Sequence, residues 1–86
     1  MSDYITAYKR LKMEAKKTLE MYSFNKKISD SFLEALKEYV ESLPDDLKNT
    51  YIIMLGKGIV VKRANLYEFC KEHPDFALEY AKLLSK

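Results

Sequence analysis

Cys70 and His73 stand three residues apart, a spacing that brings two side chains to one face of a helix. A thiol beside an imidazole is the arrangement of a thiolate nucleophile with its base, or of half a tetrahedral metal site. The metal role cannot be completed, because the chain holds one cysteine and one histidine. A zinc site lacks ligands and an internal disulfide lacks a partner. The plainer reading is a small buried thiol and a histidine at a helix end, where the dipole favours a protonated imidazole. Gly56-Lys57-Gly58 invites comparison with a phosphate loop. A Walker motif needs Ser or Thr straight after the Gly-Lys pair and another Gly five residues before it. Gly58 and Tyr51 hold those places, so a turn is the expected use. Glu34, Glu38 and Glu41 fall on the polar side of one helix, and carboxylates so placed bind a metal only with help from other elements. The chain is therefore expected to be no enzyme and to carry no catalytic, cofactor-binding or metal site.

The elements that would position these groups are mostly helical. From Asp3 to Tyr22, the residues Tyr4, Tyr8, Leu11, Ala15, Leu19 and Tyr22 recur at three- and four-residue steps, the apolar stripe of an amphipathic helix. Ser2 or Asp3 suits its N-cap. Lys9, Arg10, Lys16 and Lys17 fall on the opposite arc, with Lys12 at its edge. A second helix is predicted over Asp30–Ser42 from the stripe Phe32, Leu33, Leu36, Tyr39, Val40 and Leu43. Ser31 with Glu34 has capping-box spacing, and Ser29 and Asp30 compete as caps. Pro44 ends it. Lys62–His73 reads as a helix burying Leu66, Phe69 and Cys70. Asp75–Leu84 reads as another, burying Phe76, Ala77, Tyr80, Leu83 and Leu84, with Pro74 suited to its first turn.

Between Pro44 and Arg63 two readings stand. Leu47, Tyr51, Met54 and Leu55 keep helical spacing up to Gly56, a plausible C-cap. Thr50–Leu55 and Ile59–Val61 also form two β-prone runs joined by a glycine-containing loop, the pattern of a hairpin. The fold class expected is all-α, a single domain over 1–86 with four or five helices. The alternative is α+β with a short hairpin at about 50–62.

With 86 residues a chain buries a modest share of its surface, so good helix packing or oligomerisation must supply stability, and a homodimer is expected. The N-terminal residues show no apolar signal core and the apolar runs are too short to span a bilayer. No membrane association and a cytoplasmic location are the expectations, the lone thiol fitting a reducing compartment. Charge is unevenly placed along the chain. Residues 1–27 carry seven Lys/Arg against three Asp/Glu, 28–50 two against six, and 51–86 six against four. Such blocks bear on partners rather than on fold. The basic face of the first helix suits a phosphate backbone. Seven tyrosines and four phenylalanines suit core packing, stacking on unpaired bases, or a protein interface.

The segment Val61–Ala77 resembles the recognition-helix region of phage terminase small subunits and related homeodomain-like helix-turn-helix proteins. The matching positions are Val61, Leu66, Tyr67, Phe69, Lys71, Pro74, Asp75 and Phe76. The resemblance implies that Lys62, Arg63, Asn65 and Glu68 face the major groove of double-stranded DNA, where Arg and Asn read bases. It also implies a short helix and a tight turn directly before the Val, so the fold of 50–61 decides whether that motif is whole. The expected function is DNA binding or DNA association, in a viral or mobile-element setting, with Lys9, Arg10, Lys16 and Lys17 as further phosphate contacts. The alternative is a protein-interaction module, an inhibitor or assembly factor, docking through an aromatic-rich helical face.

Overall fold

A computed structural model describes residues 3–54 and 58–86. Ser2 as a cap, Gly56 as a helix end and Lys57 of the Gly-Lys-Gly turn lie outside them. Helix α1 spans Tyr4–Asn25, α2 Asp30–Ser42, α3 Asp45–Lys48, α4 Leu66–Glu72 and α5 Pro74–Leu84. Strands β1 (Tyr51–Met54) and β2 (Ile59–Lys62) pair antiparallel, and a 3-10 turn at Arg63–Asn65 leads into α4. The molecule is predominantly helical, with the hairpin as its one departure from all-α among the described residues.

Asp3 caps α1, its carboxylate accepting from the Thr6 backbone N–H at 2.8 Å. That hydrogen bond, first among the causes, holds the Asp3 carboxyl below its usual range. The helix runs three residues past Tyr22 because nothing breaks it before Lys26. There the chain turns left-handed, with φ at 56°, and the Lys26 N–H closes the last turn on the Tyr22 carbonyl. The line most fully buried on α1 is Ala7, Leu11, Ala15 and Thr18. Tyr8 stands at its edge and is exposed, while Leu19 and Tyr22 are half-buried. Small residues on that line let α2 and α5 approach the α1 backbone.

Helix α2 has the bounds expected from its stripe. Its cap is Ser29, whose hydroxyl accepts from the Phe32 N–H at 3.2 Å, rather than Ser31. The Ser29 N–H donates in turn to the hydroxyl of Thr18, a polar side chain buried on α1, at 2.9 Å. This bond ties the α1–α2 connection to the core. Phe32, Leu11, Leu36 and Leu66 are wholly buried at the centre, each contributing about 1.5–3 kcal/mol of burial.

The helical reading of Pro44–Gly56 is corrected over its described residues, which end at Met54. Helix α3 ends after one turn at Lys48, and Tyr51, which that reading places on a buried stripe, is 56% exposed. The period from Tyr51 is two. Ile52, Met54, Ile59 and Val61 face the core, while Tyr51, Ile53 and Val60 face outward. A run rich in β-branched residues pairs across strands more readily than it packs on a helix. Gly58, at φ 65°, supplies the left-handed residue that leads into β2.

Two further expectations are corrected. Lys62 belongs to β2 and Arg63 to the 3-10 turn, so the fourth helix begins at Leu66. Leu83 is exposed. Phe76, Ala77, Tyr80, Ala81 and Leu84 define the buried arc of α5, and Leu83 lies about 90° from its middle at 100° per residue.

Candidate interaction surface

The residues singled out in the sequence differ in exposure and in partners. Asn65 and Glu68 are exposed near the start of α4, whereas Lys62 and Arg63 are half-buried. The place where the helix-turn-helix resemblance implies a short helix and a turn is taken by the hairpin. On α1, Lys9 and Lys16 are exposed and make no ion pair among the described residues. Arg10 pairs with Glu38 of α2, and Lys17 with Glu14 at 3.3 Å. Basic and acidic blocks thus meet within the chain at Arg10–Glu38. Lys12 lies over the Tyr8 ring, 5.8 Å from its centre. Lys12, Lys16 and Lys86 border a groove of about 400 Å³ with Met13 and Leu84.

Cys70 is buried, and burial pushes its thiol up to about 12. His73 is exposed, its ring 4.4 Å from that of Phe69. A thiol raised by burial is a weak nucleophile at neutral pH, and the imidazole packs on Phe69. Among the described residues, no group of three or more His, Cys, Asp or Glu side chains is placed to hold a metal ion. None of the described helices is long and apolar enough to cross a membrane.

Two features went unread in the sequence. The first is the outer side of the hairpin. Thr50 and Arg63 continue its register, the Arg63 N–H donating to the Thr50 carbonyl at 2.9 Å. Hydrogen-bonded pairs alternate along an antiparallel ladder. Ile52–Val61 and Met54–Ile59 are therefore bonded pairs, while Tyr51 and Ile53 aim their backbone N–H and C=O groups away from β2. No other described segment makes a backbone hydrogen bond to them. Ile53 and its cross-strand partner Val60 are 59% and 60% exposed. Periodicity of two was the available signal, hidden while a helix was an equally good reading.

The second feature lies at the base of the hairpin. Tyr4, Ile5 and Tyr8 of α1, Tyr39 of α2 and Arg63 line a groove of about 280 Å³. The Tyr8 and Tyr39 rings are 5.6 Å apart and tilted. The Arg63 guanidinium donates to the Thr50 hydroxyl, which donates to the Leu47 carbonyl at 2.6 Å. Burial, reinforced by Tyr39, Cys70 and Tyr8, drives the neighbouring Tyr80 phenol far up, with Arg63 opposing. Nothing in the sequence signals that Arg63 and Tyr4 meet, since the fold alone brings them together.

Comparison with protein-family models, with curated proteins and with solved structures yields no match.

Proposed function

We propose that this chain is a non-enzymatic protein-interaction module that docks by strand addition at the outer edge of β1. The observation that carries this reading is the edge at Tyr51 and Ile53, where exposed residues have backbone groups with no backbone partner among the described residues. Edges left open in natural sheets are usually blunted by charge, proline or a covering element. Strand β1, Tyr-Ile-Ile-Met, has neither charge nor proline, whereas β2 carries Lys62 at its end. A two-stranded hairpin is also marginal by itself, and a third strand stabilises it. The occupant that fits is an extended, uncharged segment of a protein partner. Its backbone would continue the ladder and its alternate apolar side chains would cover Ile53 and Val60.

Affinity capture from cells of the native host, with nuclease treatment, tests this reading. The wild-type chain and Lys16→Glu/Lys17→Glu should retain the same stoichiometric protein, and Ile53→Lys should lose it. Recovery of nucleic acid alone, or equal retention by Ile53→Lys, contradicts it. Light scattering identifies the case in which the added strand comes from a second copy, forming the homodimer.

A second reading, DNA association, draws support from the groove bordered by Lys12, Lys16 and Lys86. Fluorescence anisotropy with labelled duplex DNA should then show binding that weakens steeply with salt and with Lys12→Glu/Lys16→Glu. Absence of binding at low salt contradicts it.

A further inference from the structure

The groove at the hairpin base is lined by residues other than those of the open edge, and its walls are chemically specific. Arg63 is half-buried, and its guanidinium makes no ion pair among the described residues. The nearby acid on α2, Glu38, is engaged by Arg10. A guanidinium carries five N–H donors, and Thr50 takes one of them. The Arg63–Thr50–Leu47 chain of hydrogen bonds anchors one nitrogen of the fork. Beside it stand three phenol rings and the exposed side chain of Ile5. Such a half-buried cation is attracted to an anion more strongly than a solvated lysine would be.

We infer that this groove binds a carboxylate joined to a flat apolar body, the carboxylate on Arg63 and the body between Tyr4, Ile5, Tyr8 and Tyr39. The fork geometry matches carboxylate and phosphate alike. Charge decides between them. A phosphate monoester carries about −1.5 to −2 at neutral pH, more than a single guanidinium balances, and among the described residues that line the groove Arg63 is the one cation. A carboxylate carries one charge and can accept two parallel bonds. The aromatic walls select against a bare ion such as acetate, because most of the surface that becomes buried belongs to the apolar body.

Titration of the isotope-labelled full chain with 3-phenylpropionate, followed by NMR, tests the site. The expected result is saturable shifts at the Arg63 side chain and the Tyr4, Tyr8 and Tyr39 rings, with a Kd on the order of 1 mM. The uncharged 3-phenylpropanol should bind about tenfold more weakly or worse, and phenyl phosphate no more tightly than the carboxylate. Arg63→Met should lose binding by a similar factor. Shifts that do not saturate, equal binding of the alcohol, or tighter binding of phenyl phosphate would overturn the proposal. The ligand comparisons use the wild-type chain, so they decide the matter even where Arg63→Met fails to fold.

Discussion

Ile53 and Val60 face each other across the hairpin, and both stand mostly outside the fold. Their neighbours in the same strands, Ile52 and Val61, pack against the core. Ile53→Lys should therefore leave stability within about 0.5 kcal/mol of wild type, as surface substitutions do. Met54→Lys, one residue on, places a charge in the core and should cost several kcal/mol. Urea denaturation followed by circular dichroism separates the two. A large loss from Ile53→Lys would mean that the outer face is covered.

Among the described residues, two hold left-handed backbone, and they should respond in opposite directions. Lys26, at φ 56°, closes α1, a place where glycine is favoured. Lys26→Gly should stabilise the fold by about 0.5–1 kcal/mol. Gly58, at φ 65°, has nothing within 4 Å of an added Cβ. Gly58→Ala should thus cost only backbone strain, about 1–2 kcal/mol. Thermal unfolding of both variants measures the signs.

The Thr18 hydroxyl accepts the Ser29 N–H from within the core. Thr18→Val keeps the shape and removes the acceptor, leaving a partly buried donor without a partner. The expected loss is about 1–3 kcal/mol. Thr18→Ser retains the hydroxyl and should preserve the protection of the Ser29 amide against hydrogen exchange, which Thr18→Val should abolish.

Cys70 is raised from 9.0 to about 12 by burial. A thiol whose pKa is higher folded than unfolded contributes stability that is fully present below pH 9.0 and is lost as pH rises towards about 12. Tyr80 moves the same way, from its ordinary value of 10.0. Stability should accordingly fall on the alkaline side from about pH 9, and less steeply in Cys70→Ala. At neutral pH the native thiol should react with an alkylating reagent far more slowly than the denatured chain does.

The parts legible in the sequence are those where one period dominates. Phe32, Leu36, Tyr39 and Val40 mark α2 so clearly that, with its cap candidates and Pro44, its bounds of Asp30–Ser42 follow. The start of α1 is narrowed in the sequence to Ser2 or Asp3, and Asp3 is the cap. The end of that helix is not so marked, because a left-handed Lys26 carries no compositional signal. In residues 50–61 the apolar residues satisfy a helical and a two-residue period at once, and only cross-strand partners distinguish them. Helical spacing groups Lys9, Arg10, Lys16 and Lys17 as DNA contacts, and the helix-turn-helix resemblance adds Lys62 and Arg63. In the fold, Lys62 lies in β2, Arg63 turns towards tyrosines of α1 and α2, and Arg10 meets Glu38. Such meetings depend on how helices cross, which no local pattern states.

The open edge of β1 is most directly tested by amide hydrogen exchange of the isotope-labelled chain, alone and saturated with its captured protein partner. Free in dilute solution, the Tyr51 and Ile53 amides should exchange rapidly while those of Ile52 and Met54 are slowed by the ladder. In the complex, Tyr51 and Ile53 should become protected together. Amides of Tyr51 and Ile53 that stay fast in the complex, with new protection on α1 instead, would contradict docking at this strand.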